Sequence, residues 1–141
     1  MVAVAIVLDI AFHSGGDAVV SAAELADRTG MARRTLEPLL QALSREGLLE
    51  STRGPHGGYR PGRPARLIKL ADVIAVALSS LEESGPDLTG RLQRAVVDPL
   101  WAELDAALQA QLDGMTIEDL LRRAAKAGLR KPVSDPLNFA I

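Results

Sequence analysis

Residues 32–60 read ARRTLEPLLQALSREGLLESTRGPHGGYR, and three signals in that stretch decide the fold. Leu36, Leu39, Leu40 and Leu43 recur at i, i+3, i+4 and i+7, an apolar stripe that predicts a helix ending at Glu46-Gly47. Pro38 suits the first turn of that helix if it begins near Thr35, whereas an earlier start predicts a kink at Pro38. In both cases Arg33, Arg34 and Thr35 stand at the N-terminal end, beside the positive pole of the helix dipole. Leu48–Thr52 then has strand character. Next comes Arg53-Gly54-Pro55-His56-Gly57-Gly58-Tyr59-Arg60, whose glycines and proline mark a hairpin tip with left-handed backbone angles. Leu67-Ile68-Lys69-Leu70 is expected to return as the second strand.

Working upstream, Ser21-Ala22-Ala23-Glu24 has the capping-box form, and the helix it opens, with Leu25 and Ala26 inward, is expected to stop at Thr29-Gly30. Two helices joined by a short turn containing Gly are a weak signal alone. Followed by a basic hairpin, they spell a winged helix-turn-helix. Val2–Phe12 is apolar almost all round and reads as a buried first helix. A signal peptide is the competing reading; against it stand the missing basic lead and Asp9, which closes the run early.

The charge is segregated. Between Arg28 and Lys69 there are nine basic residues, eight of them Arg, against three acids (Glu37, Glu46 and Glu50), a local excess of six in a chain whose net charge is −2. Such a patch concentrates phosphate-seeking charge on one face, and arginine's planar fork suits phosphates and guanine edges. An unliganded charged surface is the plainer reading. The dipole argument disfavours it at Arg33 and Arg34, because a cation at the positive helix pole gains nothing structurally.

The remaining composition excludes whole classes of function. With no Cys in 141 residues there is no disulfide framework, thiol nucleophile or thiolate-held metal centre, and the two histidines, His13 and His56, cannot build an all-imidazole site. No apolar run approaches the roughly 20 residues of a bilayer helix, so a cytoplasmic, membrane-free protein is expected. Glu82, Glu83 and Asp105 have no nucleophile, base or phosphate-binding loop for company, and the chain is not read as an enzyme.

Downstream of a helix over Asp72–Leu81, Ser84-Gly85-Pro86-Asp87 is the clearest linker. Leu92, Val96, Leu100, Leu104, Leu108 and Leu112 then fall every fourth residue with Trp101 alongside, an apolar stripe broad enough for two surfaces. Asp98-Pro99 inside it predicts a fresh helix or a bend. Thr116-Ile117-Glu118-Asp119 opens a last helix that ends near Gly128. The expected division is a winged helix-turn-helix domain over 1–81, a linker over 82–97, dimerisation helices over 98–128 and a loose tail over 129–141. The fold class is mainly α with a small β-hairpin wing.

Arg53-Gly54-Pro55-His56-Gly57-Gly58-Tyr59, with Leu36-Glu37, Gly47-Leu48-Leu49, Leu70-Ala71-Asp72-Val73-Ile74 and Leu100-Trp101, resembles the Rrf2-type bacterial transcription regulators over roughly residues 1–126. That family includes the iron–sulfur cluster regulator, the nitric-oxide-sensing repressor and the cysteine-metabolism repressor. The resemblance implies a homodimer on a pseudo-palindromic operator in double-stranded DNA, with Leu100, Trp101, Leu104, Leu108 and Leu112 in the dimer seam. It places the helix of Glu37 in the major groove and the wing Arg, here Arg53, in the minor groove.

Relatives with a cluster carry three Cys just before the Leu-Trp pair, where this chain has none between Leu81 and Asp98. No cofactor is expected. The start of the recognition helix, Ala32-Arg33-Arg34-Thr35, differs from the Ser and Tyr frequent in relatives, so a different base preference is expected. The lead before the first helix is short, as from a shortened or misassigned start. The candidate DNA-binding residues are Ser21, Arg33, Arg34, Thr35, Glu37, Arg53, His56, Gly57, Gly58 and Arg60, and the expected activity is repression. The competing function is a winged-helix interaction module that has lost DNA binding. An effector, small molecule or protein, is expected between the DNA-binding part and the dimer helices.

Overall fold

Ile6, Val7 and Ile10, with no exposed surface, form the centre of the core in the computed structural model, which describes residues 1–82 and 89–132. They lie on α1 (Val2–His13), whose apolarity on every side lets it touch several elements at once. Around it pack α2 (Ala22–Thr29), α4 (Leu70–Glu82), α6 (Ile117–Lys126) and the second strand of the wing. Asp9 on α1 receives three bonds from Arg28 on α2, two from Nε and one from Nη2, the shortest at 2.7 Å, which tie the two helices together at the surface.

The cap expected at the start of α2 is present in full. The Glu24 N–H donates to Ser21 Oγ at 3.2 Å, and the Ser21 N–H donates to the Glu24 carboxylate at 2.7 Å. Gly30 closes the helix in the left-handed region, φ +71°. The Ser21 backbone N–H, then the Ser21 hydroxyl, hold the Glu24 carboxyl below the ordinary glutamate range. Its folded value is the lower one, so its contribution is complete above the unfolded value and is lost as pH falls through the folded value. Ser21→Ala is expected to lower stability by about 1 kcal/mol at pH 7 in urea unfolding. Glu24→Gln is expected to flatten the acid limb below about pH 4.5. Unchanged midpoints in both variants would deny the cap its role.

The next helix, α3 (Arg33–Arg45), begins two residues earlier than the Thr35 start would have it. Its first bonds run to the Ala32 carbonyl from the N–H groups of Thr35 (2.9 Å) and Leu36 (3.2 Å). Leu36, Leu40 and Leu43 are fully buried, and their place in the core sets where the helix must start. Pro38 therefore stands inside the helix, which runs on unbroken through it, and the Arg34 carbonyl loses the bond a residue-38 N–H makes in an ordinary helix. At the far end Arg63 donates from Nη2 to the Glu46 carbonyl (3.0 Å) and from Nε to that of Gly47 (3.4 Å).

The wing is tighter than the sequence reading has it. Strand β1 (Leu49–Thr52) pairs antiparallel with β2 (Gly58–Pro61), in the register Leu49 to Pro61, Glu50 to Arg60, Ser51 to Tyr59 and Thr52 to Gly58. Leu67-Ile68-Lys69-Leu70 is not the return strand. Ala65–Leu67 is a 3-10 turn, Ile68 is a fully buried anchor, and Leu70 already begins α4. Val20 joins the wing from outside, exchanging two 2.8 Å backbone bonds with Tyr59. The three tip glycines also divide their work. Only Gly54 is left-handed (φ +117°), whereas Gly57 and Gly58 are needed because a side chain there would strike backbone. A Cβ on Gly57 would overlap the Thr52 carbonyl oxygen, and one on Gly58 would lie 2.6 Å from that of Val20.

From Arg91 the chain is helical without a break to Leu112, through a π-helical turn at Gln93–Val97 into α5 (Asp98–Leu112). The wider turn sits immediately before Pro99, where the missing N–H and the ring's bulk oppose ordinary α-helical bonding. Part of the segment expected as a linker over 82–97 is therefore helix. The Ser84–Asp87 linker and most of the tail, from 133 on, lie outside the described residues. Helix α6 opens with a second capping box, Thr116 with Asp119, and returns to the winged domain: the Ile117 N–H donates to the Ile68 carbonyl at 2.9 Å, and Ile117 is fully buried beside α1. The fold is mainly α with one β-hairpin wing, and no described helix is long and apolar enough to cross a membrane.

Candidate nucleic-acid interface

Turning about 100° per residue, α3 sets Leu36, Leu40 and Leu43 on one side and Arg34, Pro38, Gln41 and Arg45 nearly opposite. All four outward residues are exposed. Arg33, Thr35 and Glu37 are exposed too but flank that centre, and Arg33 approaches Glu37 at 4.0 Å, a loose surface pair. The sequence reading weights Arg33 and Arg34 equally and passes over Gln41 and Arg45. The signal for them lay in the periodicity, since the leucine stripe also defines the opposite face.

On the wing Arg53 and His56 are exposed at the tip. Gly58 is buried against Val20, so it positions the tip through its backbone rather than presenting a surface. Arg60 donates from Nε to Glu50 Oε2 at 2.9 Å, its cross-strand partner, and this bond lowers the Glu50 pKa while raising that of Arg60. Ser21 lies next to Val20 at the wing's attachment, with its hydroxyl committed to the α2 cap.

The structure therefore sorts the basic segment. Arg28 serves Asp9, Arg63 serves the Glu46 and Gly47 carbonyls just past α3, Arg60 serves Glu50, and Arg33 leans on Glu37. Among the described residues, Arg34, Arg45, Arg53, Arg66 and Lys69 have no side-chain hydrogen bond or ion pair. Cations left without internal partners at a helix start and a hairpin tip are equipped to meet an external anion, and phosphate is the anion their number and spread suit.

A second surface is apolar. Leu100, Trp101, Leu104 and Leu108 are exposed, Trp101 by 61%, and α5 has no buried residue; Leu112 is half-buried and packs against the core. Between the end of α3 and α4 lies an open groove of about 670 Å³, lined by Arg45, Arg63, Asp72 and Ser79 among others. Among the described residues no three His, Cys, Asp or Glu side chains are grouped to hold a metal ion.

The family described as "Rrf2: Iron-dependent Transcriptional regulator" matches residues 1–123. The HTH-type transcriptional regulator IscR of Photobacterium profundum is 35% identical over 124 residues, covering 85% of this chain and 71% of that protein. Protein rrf2 of Nitratidesulfovibrio vulgaris is 34% identical over 124 residues, covering 84% of this chain and 81% of its own. Among solved structures, T. potens IscR superposes with a TM-score of 0.69 at 31% identity, over 93% of this chain and 88% of that one. CymR, the global cysteine regulator of B. subtilis, gives 0.63 at 26% identity, over 86% and 92%. These relatives are transcriptional regulators, not enzymes.

Proposed function

We infer the function from one premise: the chain belongs to the Rrf2 family of transcriptional regulators. It is a DNA-binding regulator of the winged-helix kind. On our reading it acts in the cytoplasm as a homodimer on a pseudo-palindromic operator and represses by occupying a promoter. Helix α3 enters the major groove with Arg34 toward the bases, and Arg33, Thr35 and Glu37 flank it. The wing brings Arg53 to the minor groove, whose narrow form attracts arginine, while His56 and the backbone of Gly57 lie beside the phosphates. Arg60 and Ser21 support that surface from the strand and the cap.

The observation that carries this reading is the sorting of the arginines: Arg28, Arg60 and Arg63 are consumed internally, while Arg34 and Arg53 are exposed and unpaired at the helix start and wing tip.

The family's iron dependence does not extend to this chain's donor set. There is no Cys, and no metal-holding group occurs among the described residues. We therefore take regulation to be independent of a cysteine-ligated cluster, and place a small effector in the groove between α3 and α4, within the winged domain rather than at its junction with the dimer helices.

Binding to the promoter of the protein's own gene, titrated against salt beside a scrambled duplex, tests the function. Specific binding whose logarithmic slope corresponds to several neutralised phosphates is expected. Arg53→Ala is expected to weaken binding by about tenfold or more and to reduce that slope by about two, one for each subunit. No binding to either duplex at low salt would turn the reading toward a protein-interaction module.

A further inference from the structure

The outward face of α3 carries one residue whose chemistry differs from all its neighbours there. Arg34, Pro38, Gln41 and Arg45 lie within about 60° of one another around the helix axis, and of these only Gln41 presents both a donor and an acceptor at the side-chain end. Its amide makes no hydrogen bond within the protein among the described residues, and Gln41 is exposed although it lies between buried Leu40 and Ala42. A glutamine at the centre of a solvent-facing helix surface, flanked by unpaired arginines, has the pair of groups that matches the N6 and N7 edge of adenine.

We propose that Gln41 is a specificity-determining residue of this regulator, pairing through its side-chain amide with adenine in the major groove, at a different base pair of the half-site from the one that Arg34 reads. Seven residues at 1.5 Å rise put Gln41 about 10.5 Å along the helix axis from Arg34, far enough for the two side chains to meet different base pairs along the groove. Pro38 stands between them with no N–H and no side-chain donor, so it presents only ring carbons to the intervening bases. The face thus alternates a guanine- or phosphate-seeking fork, an apolar ring and an adenine-seeking amide. This inference rests on the DNA-binding reading above and adds to it the base that the helix selects.

The test is selection of operators from a randomised duplex pool by the full chain, comparing the wild type with Gln41→Ala and Gln41→Arg. The wild type is expected to enrich a two-fold symmetric motif with adenine at one position in each half-site. Gln41→Ala is expected to reduce discrimination at that position alone, by roughly 5- to 150-fold, with the rest of the motif kept. Gln41→Arg is expected to move the preference there to guanine, a change that loss of folding cannot imitate. The same motif from all three proteins would overturn the assignment, as would a uniform loss of affinity with unchanged base preferences. A wild-type selection that enriches no motif would instead strike the DNA-reading function itself, and Gln41 with it.

Discussion

Trp101→Glu is expected to convert the proposed dimer to monomer in sedimentation and to abolish tight operator binding at the same time. Trp101 is 61% exposed and belongs to no part of the described core, so a glutamate there leaves the fold of the single chain intact. In a dimer the same side chain stands near the middle of the exposed apolar run from Leu92 to Leu108, where an unpaired carboxylate would be desolvated. Losses at buried aromatic anchors of an interface run to about 2–4 kcal/mol, a weakening of roughly 30- to 1,000-fold. The stripe advances about 40° around the helix for every four residues, so it follows a ridge rather than a straight seam. In the proposed dimer two such ridges would pack by crossing, with the contact centred near Leu100, Trp101 and Leu104. Losing the dimer also removes the second half-site, which in linked binding is worth a further 10²- to 10⁴-fold. A Trp101→Glu protein that stays dimeric and binds its operator would remove α5 from the interface.

How far the fold and the site could be read in advance depends on how local each determinant is. The capping box at Ser21 and Glu24, the stop at Gly30 and the cap at Thr116 were legible because each is settled within four residues. The leucine stripe of α3 was legible for the same reason. Where α3 begins was not, because the burial of Leu36 against the rest of the core outweighs the preference of Pro38 for a first turn. The return strand was misplaced because Leu67-Ile68 is apolar and looks like a strand, while Gly58–Pro61 has no strand pattern of its own. That segment is a strand through its partners: Leu49–Thr52 pairs with it on one edge, and on the other Val20, nearly forty residues away, pairs with Tyr59 through both its carbonyl and its N–H. Charge counting found the basic patch but could not say which arginines are consumed within the protein, since Asp9, Glu50 and the Glu46 and Gly47 carbonyls come to them only in the folded chain.

The same long-range attachment makes Gly58 a sensitive position of the wing. A methyl group there would stand 2.6 Å from the Val20 carbonyl oxygen and 2.7 Å from its carbon, with the Ser21 nitrogen at 3.0 Å. All three are backbone atoms, so no side-chain rotation relieves the overlap. The strand must retreat from Val20, and the two 2.8 Å bonds between Val20 and Tyr59 go with it. Gly58→Ala is therefore expected to cost about 3 kcal/mol, combining overpacking with the loss of backbone bonds worth about 1 kcal/mol each. In thermal unfolding that corresponds to a fall of about 10 °C. Gly90→Ala is the matched control: Gly90 is exposed, its backbone angle is ordinary, and its nearest neighbour would be 3.9 Å from an added Cβ. DNA affinity is expected to fall in Gly58→Ala even below its melting temperature, because Arg53 depends on the β1–β2 pairing for its place. If instead Gly58→Ala melts with Gly90→Ala and binds the operator like the wild type, the wing is held by something other than Val20, and the positioning argument for Arg53 fails with it.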